Sequence, residues 1–360
     1  MEKLNVAVLF GGCSAEHAVS KISAAAVIAN LSKEKYNVMP IYMTTDGKWL
    51  FYDGCIERLD QVEFEKFGVC AVLSPDRTER CLLRLVGGKA RQIPIDVVFP
   101  VLHGVNGEDG TVQGLLELTG IPYVGCGVLA SALCMDKAVT KQLVQAFEVV
   151  AQTPYFVLRK SDLDDMGDAV KKIRAKIGYP CFVKPANTGS SVGISKAKNK
   201  KELEAALLLA ARFDDKMIVE KAVVGRELEC AVLGTGGDDT QASVIGEIIP
   251  AAEFYDYDAK YNNAASETLV PADIPPDISE AIREAALTLF KKLDCRGLAR
   301  VDFFLEAKTN RVLFNEINTM PGFTSISMYP MLWREMGMEL PALLDHLIDI
   351  ALERVRILAL

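Results

Sequence analysis

Two strand-like runs near the C-terminus carry side chains that could bind a divalent cation. The runs cover residues 298–305 and 312–318, and the turn signal Lys308-Thr309-Asn310 lies between them, which predicts a hairpin. If the turn centres on Thr309, Asp302 lies directly opposite Glu316. Two carboxylates buried side by side are costly unless a cation lies between them.

The neighbouring cross-strand pair of this hairpin adds an amide and a guanidinium. Side chains alternate faces along a strand, so Arg300 and Asn318 share the face of the two carboxylates. Oxygen ligands of this kind suit Mg²⁺, which also binds nucleotide phosphates. The structural alternative is an exposed sheet face with a cross-strand salt bridge. The loop with Pro321-Gly322 follows directly, and its backbone N–H groups could hold an oxyanion.

A lysine and a glycine-rich turn in the middle of the chain could bind phosphate. Lys184 ends a predicted strand, and the turn at 189–193 follows it closely. Small residues let backbone amides approach phosphate oxygens. The spacing does not make a Walker A motif, and a plain hairpin turn is the alternative. Lys137 and Lys260 could add charge to the same phosphates, or could be solvated surface lysines.

The N-terminal part of the chain has two candidate ligand positions. A buried strand at 6–10 runs into Gly11-Gly12 and a helix, but the third glycine of the dinucleotide-binding fingerprint is missing. Glu16 near the start of that helix could complement the helix dipole or hold a substrate ammonium. His103 follows a second buried strand at 96–102, where open α/β sheets bind ligands.

The predicted elements divide the chain into three units of α/β and α+β class. Residues 1–125 form an α/β unit with a parallel sheet, and 45–93 within it contain strands and turns. Residues 126–222 form a central unit, and 223–360 form a C-terminal unit. The polar aromatic segment at about 250–268 is the predicted lid.

Composition narrows the class of protein. The chain has 360 residues and a net charge of -8, which argues against a general nucleic-acid binder. Its nine cysteines contain no C-x-x-C pair, so we expect reduced thiols that act as small core hydrophobes. The first apolar run has only five residues, too short for a signal peptide, and no run approaches the length of a membrane span. These features predict a cytoplasmic protein.

Taken together, the motifs resemble the D-alanine–D-alanine ligases of the ATP-grasp superfamily. In chain order the matching segments are 11–20, 103–110, 135–137, 184 with 189–193, 220–221, 255–261, 300–302 and 315–322. The resemblance spans nearly the whole chain, and 45–93 resembles an insertion of longer members. It implies a three-domain ATP-grasp architecture, with ATP and two Mg²⁺ (or Mn²⁺) between the second and third domains. A homodimer is typical of the family.

The resemblance also implies a role for each site residue. The implied ATP-binding residues are Lys137, Lys184, Ser191, Glu220, Lys221, Val223, Glu227 and Lys260, and the implied metal ligands are Asp302, Glu316 and Asn318. The implied substrate-binding residues are Glu16, His103, Lys260, Ser327 and Met328. The implied catalytic residues are Glu16, Ser190 and Tyr261 as a hydrogen-bonded triad, with Arg300 and the Gly322 N–H for the oxyanion.

The implied reaction is the ligation of two D-alanines for peptidoglycan precursor synthesis. The carboxylate of the first D-alanine attacks the γ-phosphate of ATP and becomes an acyl phosphate, which the amine of the second D-alanine then attacks. Relatives that use D-lactate or D-serine differ at the lid tyrosine and after the second-site serine, where Tyr261 and Met328 match the dipeptide-forming type. Such a relative, or a non-catalytic nucleotide-binding regulator, is the alternative.

Overall fold

A computed structural model describes residues 2–54, 59, 62–249 and 267–358 of the chain. The described strands form three sheets, of seven, four and six strands. The described α-helices are α1 His17–Asn30, α2 Phe64–Phe67, α3 Thr111–Thr119, α4 Val128–Met135, α5 Lys137–Phe147, α6 Met166–Lys176, α7 Lys200–Ala210, α8 Pro276–Lys292, α9 Met328–Glu335 and α10 Leu340–Leu358.

The first sheet combines parallel and antiparallel strands. Its strands are β1 Leu4–Gly11, β2 Tyr36–Met43, β3 Trp49–Phe51, β4 Val69–Leu73, β5 Cys81–Val86, β6 Lys89–Pro94 and β7 Val97–Val101, in the order β6-β5-β4-β3-β2-β1-β7. Strand β1 is parallel to both β2 and β7. Strands β2 to β6 form an antiparallel meander. The predicted parallel sheet is thus parallel in three strands, and 45–93 supply strands and turns that extend it.

Burial on both faces explains the unbroken apolar sequence of β1. Val6, Val8 and Phe10 enter one core cluster, while Ala7 and Leu9 enter another on the opposite face. The first of these clusters also contains residues of α9 and α10. The C-terminal helices therefore share a hydrophobic core with the N-terminal sheet, which fixes the first and third sheets relative to each other.

The second sheet is antiparallel, with helices on one face and polar groups on the other. Its strands are β9 Tyr155–Arg159, β10 Cys181–Pro185, β11 Ser195–Ala197 and β12 Lys216–Lys221, in the order β11-β10-β12-β9. Cys181 and Val183 pack in the core formed with α6 and α7. Lys184 lies between buried neighbours on β10 and faces the other way, as does Glu220, whose strand partner is Phe182.

The third sheet carries the predicted hairpin. Its strands are β8 Ala151–Gln152, β13 Gly225–Gly234, β14 Gln241–Ile249, β15 Glu267–Leu269, β16 Gly297–Glu306 and β17 Val312–Asn318, in the order β15-β14-β13-β16-β17-β8. Strand β8 pairs with β17 in parallel, and the other pairs are antiparallel. Helix α8 begins with Pro276 in its first turn and covers one face through Ile282, Ala286 and Leu289.

The predicted cross-strand pairing of β16 and β17 is confirmed. Asp302 lies opposite Glu316, and Arg300 lies opposite Asn318. The register shifts between this part of the hairpin and its turn, where Asn315 is the extra residue on β17. The turn itself is therefore centred half a residue earlier than the sequence predicted, and the bulge restores the predicted pairing beyond it.

The cysteines largely behave as predicted. Of those that the structure describes, Cys81, Cys126, Cys134, Cys181, Cys230 and Cys295 are buried free thiols. Cys13 and Cys70 are exposed, which corrects the expectation that all are core residues. In the described part of the chain, no helix combines the length and the apolar character needed to cross a bilayer.

Candidate active site

Strands of the second and third sheets line one cavity of about 820 Å³, together with the start of α1 and the loop after β7 beside the first sheet. It contains every predicted site residue that the structure describes: Glu16, His103, Lys137, Lys184, Ser190, Ser191, Glu220, Lys221, Val223, Glu227, Arg300, Asp302, Glu316, Asn318, Gly322, Ser327 and Met328. Lys260, Tyr261 and all of the predicted lid except residues 267 and 268 lie outside the described residues. Residues far apart in the sequence thus converge on one space.

The hairpin presents a guanidinium held between carboxylates. Arg300 donates from Nε to Oδ1 of Asp302 and from Nη2 to Oδ2, each at 2.7 Å. Its Nε also lies 2.9 Å from Oε2 of Glu229 on β13. Burial disfavours the charged guanidinium, but the Asp302 and Glu229 carboxylates outweigh that cost and hold the pKa of Arg300 well above its usual range. Asn318 Nδ2 donates to Oδ2 of Asp302 at 2.9 Å.

Glu229 was not singled out from the sequence. Its strand partner is Asp302, so it continues the acidic face of the hairpin onto a third strand. The available signal was the spacing of Glu227 and Glu229, which places both on one face of a strand.

Glu316, the second carboxylate of the hairpin pair, lies against a lysine from the central part of the chain. Lys137 Nζ is 3.6 Å from Glu316 Oε2 and donates to the Thr188 carbonyl at 2.7 Å. Lys137 is the first residue of α5, and Asp136 caps that helix by accepting from two backbone N–H groups at 3.1 Å. Lys216 forms an ion pair with the capping carboxylate, which anchors the start of α5 to β12.

Glu220 lies in a buried cluster of charges at the back of the cavity. Its Oε2 is 3.3 Å from Lys184 Nζ and 3.5 Å from Lys141 Nζ. Burial alone would raise the pKa of Glu220, but Lys141 and Lys184 more than offset this, so its pKa is lowered. Lys141 was not identified from the sequence, although its i+4 spacing from Lys137 places both on one face of α5.

Glu16 is buried at the junction of two glycine loops. Ser190 donates a short hydrogen bond from Oγ to Glu16 Oε1. A Cβ added to Gly104 or to Gly189 would overlap Oε2 of Glu16, so both loops need glycine to approach this carboxylate. Ser190 and Ser191 have positive φ angles of 45° and 62°, the left-handed conformation that turns the loop toward Glu16.

His103 connects the first sheet to the loop after β17. It is 5% exposed, and its Nδ1 lies 3.0 Å from the Met320 carbonyl oxygen, which can only accept. Nδ1 therefore carries the proton, and Nε2 accepts from Ser23 Oγ at 3.2 Å. Burial lowers the pKa of His103, opposed in part by Glu16, in agreement with a neutral ring. Both ring nitrogens thus have protein partners.

Glu108 lies beside the same loops and was not singled out within the motif at 103–110. Its carboxylate accepts from Gly104 N at 2.8 Å and from Met320 N at 3.0 Å. Burial and the nearby charge of Glu16 raise the pKa of Glu108 to about 8. This half-buried carboxyl therefore ties the loop after β7 to the loop after β17.

The loop after β17 closes the cavity on the side of the first sheet. Ser327 Oγ accepts from Thr324 N at 3.0 Å, and a Cβ on Gly322 would lie 2.7 Å from that same oxygen. Met328 is 3% exposed and packs in the core, with only part of its side chain at the cavity wall. On the opposite wall, Lys221 Nζ donates to the Tyr179 carbonyl at 2.8 Å.

The hairpin offers fewer metal-binding side chains than a site at which protein groups alone surround the ion. In the part of the chain that the structure describes, no group of three or more His, Cys, Asp or Glu side chains is placed to hold a metal ion. Asp302, Glu316 and Asn318 offer two carboxylates and one amide, on a face that opens into the cavity. Such a set can share a cation with an anionic ligand rather than enclose it.

The architecture of the chain matches that of solved ligases. Solved structures with the same architecture include the VanG D-Ala:D-Ser ligase from Enterococcus faecalis, with a TM-score of 0.87, 40% identity and coverage of 97% of this chain and 100% of that one. The D-alanine-D-alanine ligase from Coxiella burnetii gives a TM-score of 0.87 and 36% identity, over 100% of this chain and 97% of that one. The chain has the ATP-grasp fold of these enzymes.

The family follows from the sequence comparisons. The family model for the D-ala D-ala ligase N-terminus matches residues 5–126, and the model for the D-ala D-ala ligase C-terminus matches residues 143–349. A curated relative, the D-alanine--D-alanine ligase of Caldicellulosiruptor bescii, is 51% identical over 357 residues, which are 99% of this chain and 97% of that protein. This chain belongs to the D-alanine–D-alanine ligase family.

Proposed function

We propose that this chain uses ATP to join two D-alanine molecules into D-alanyl-D-alanine. The relatives at about half identity carry this activity in their names, and they match nearly the full chain. The cavity adds a physical reason, because it brings cationic, acidic and backbone N–H groups together in one space between the N-terminal loops and the second and third sheets.

ATP would bind between the second and third sheets. Lys137 and Lys184 present ammonium groups that can offset phosphate charge, and Lys137 holds the glycine loop through Thr188. At the back of the cavity Glu220 Oε1 is buried and has no hydrogen-bond partner among the described residues. An acceptor in that state suits the exocyclic amine of adenine. Lys221, Val223 and Glu227 line the same wall.

The hairpin face would bind two Mg²⁺ (or Mn²⁺) ions. Asp302 and Glu316 supply carboxylates, and Asn318 Oδ1 is available because the amide donates to Asp302 through Nδ2. Lys137 Nζ lies 3.6 Å from Glu316 Oε2, so this carboxylate already has one cationic partner. When bound, such ions would reduce the charge that builds up on the transferring phosphoryl group.

The substrates would lie between the hairpin and the N-terminal loops. Glu16 offers a buried carboxylate for the ammonium of the first D-alanine, whose own carboxylate attacks the γ-phosphate to give D-alanyl phosphate. Arg300 and the Gly322 N–H would stabilise the oxyanion formed when the second amine attacks. Ser327 and Met328 line the wall where the second D-alanine would lie. Tyr261 would complete the triad with Glu16 and Ser190.

The convergence of the predicted residues on one cavity is the observation that carries this proposal. Incubation with ATP, Mg²⁺ and D-alanine should give D-alanyl-D-alanine, ADP and phosphate, which mass spectrometry and a phosphate assay detect. A protein that splits no ATP under these conditions would instead be a nucleotide-binding regulator.

D-serine is the alternative second substrate that the comparisons suggest. The Enterococcus faecalis structure at 40% identity is named a D-Ala:D-Ser ligase. Competition of equal concentrations of D-alanine, D-serine and D-lactate for the second position separates the three products by mass. We expect D-alanyl-D-alanine to be the main product. If D-alanyl-D-serine is the main product instead, the chain is a D-alanine–D-serine ligase.

We also propose that the units at 1–125, 126–222 and 223–360 are the domains of this enzyme and that it is a homodimer. The three sheets fall within these ranges except for β8, which pairs with β17. Limited proteolysis would show whether cleavage concentrates near 125 and 222. Light scattering gives the mass in solution, and a monomeric mass would exclude the dimer.

A further inference from the structure

Lys141 is a buried charge that the proposed chemistry does not yet use. Its side chain is 1% exposed, and it lies one helical turn after Lys137 on α5. A buried ammonium group is costly unless it is paired. We therefore expect an acidic side chain that the buried Lys141 ammonium stabilises.

The partner of Lys141 is one particular oxygen of Glu220. Lys141 Nζ lies 3.5 Å from Glu220 Oε2 and 3.5 Å from Thr153 Oγ1, and the Phe314 ring centre lies 5.7 Å away. Thr153 Oγ1 itself donates to Glu220 Oε2 at 3.3 Å. The threonine and the lysine thus act on the same carboxylate oxygen.

The two oxygens of Glu220 have very different surroundings. Oε2 also accepts a hydrogen bond from Lys184 Nζ at 3.3 Å. Three donor groups, from Lys141, Thr153 and Lys184, therefore surround this oxygen. Oε1 is buried and has no hydrogen-bond partner among the described residues, and Glu220 lines the cavity. This asymmetry fixes the rotation of the carboxylate and leaves one acceptor for a ligand.

We propose that Lys141 is a positioning residue for nucleotide recognition. By holding Oε2 of Glu220, it turns Oε1 into the cavity as an acceptor for the exocyclic amine of an adenine base. This inference rests on the proposed function only in taking an adenine nucleotide as the ligand. Lys141 would not contact the nucleotide, because its side chain is 1% exposed and does not line the cavity.

The first test compares the affinities of ADP and GDP, measured by titration calorimetry without D-alanine. Guanine carries a carbonyl where adenine carries the amine, so only ADP uses the Glu220 acceptor. We expect Lys141→Met to weaken ADP roughly 10- to 100-fold, the usual range for a hydrogen bond to a charged group. GDP should change less, so the adenine preference shrinks. The exposed Lys291→Met should leave both affinities unchanged.

A double-mutant cycle shows whether Lys141 acts through Glu220. If it does, Lys141→Met in a Glu220→Gln background should weaken ADP no further. Lys141→Arg keeps the charge and should retain most of the preference. Additive losses, or equal losses for ADP and GDP, would overturn the proposal and leave Lys141 with a structural role. Should the single variant not fold, the double variant still tests the proposal against Glu220→Gln, because Lys141→Met adds to the loss of ADP affinity there only if Lys141 acts other than through Glu220.

Enzyme assays separate this inference from the proposed function. In an active ligase, Lys141→Met should raise the KM for ATP and leave the KM for D-alanine unchanged. A protein that binds ADP with the expected coupling but makes no dipeptide contradicts the ligase and supports the role of Lys141. A ligase whose variants bind ADP like the wild type contradicts the role of Lys141 alone.

Discussion

Substitution of Gly104 tests why the loops at Glu16 contain glycine. Glycine is needed there either because a side chain would overlap Glu16 or only because of the backbone conformation. Its φ angle is +70°, and an added Cβ would overlap Oε2 of Glu16. Gly88 has a φ angle of +75°, and an added Cβ there meets nothing within 4 Å. Alanine at either position therefore has the same backbone strain, and only Gly104→Ala also disturbs Glu16. Gly88→Ala is the matched control.

The magnitude follows from separating these two effects. Alanine in the left-handed conformation costs about 1 kcal/mol, which lowers the Tm by about 2 °C in both variants. The Glu16 carboxylate is the far end of a flexible side chain, so it can move aside with little further loss of stability. Moving it weakens its contact with the substrate ammonium, a charged hydrogen bond worth about 1.5–3 kcal/mol. The apparent KM for D-alanine should then rise roughly 10- to 100-fold in Gly104→Ala alone.

The assay is the initial rate of phosphate release against D-alanine concentration at saturating ATP, with thermal melting of the same samples. The expected pattern is a similar Tm for the two variants and a raised KM for one. A Gly104→Ala enzyme with the KM of the Gly88→Ala enzyme would refute the reasoning. It would mean that Glu16 either tolerates the new methyl group or does not bind the substrate.

Two further predictions concern charge. Glu316→Gln keeps the side-chain shape but removes a carboxylate of the proposed metal site, so kcat should fall by about 10³-fold or more. Its Tm should stay close to that of the exposed control Glu284→Gln, and full activity at any Mg²⁺ concentration would contradict the metal assignment. For pH, burial lowers the pKa of His103, so the unfolded chain takes up a proton that the native ring does not. Stability is then complete above the ordinary histidine pKa of about 6.5 and is lost as the pH falls below it. His103→Gln should therefore show a smaller fall in Tm from about pH 8 to about pH 5.5, and an unchanged fall would exclude a neutral His103.

Local patterns in the sequence were sufficient to predict several elements and the acidic face of one hairpin. The apolar run at 6–10 was predicted as a strand and lies within β1. Asp136 at the start of α5 and Pro276 in the first turn of α8 are residue types that commonly begin helices. The pairing of Asp302 with Glu316 followed from strand alternation and a local turn. These features depend on residues close together in the sequence, whose geometry a regular element fixes.

The antiparallel extension of the first sheet was less predictable. Strands β3 to β6 are short, and two of them are largely exposed on one or both faces, so their sequences lack a strong apolar alternation. Their position at one edge of the sheet depends on pairing with β2 rather than on their own pattern.

Local spacing alone predicted the strongly apolar elements and the acidic, amide-bearing hairpin face. The folded arrangement determines which distant groups meet: Glu229 with Arg300, Lys141 with Glu220, and Glu108 with the loop after β17. It also decided that Gly104 and Gly189 must lack side chains, since Glu16 occupies that space. Such contacts join segments that lie far apart along the chain, and burial sets their strength by removing water from around the charges, a property that no local pattern of residues records.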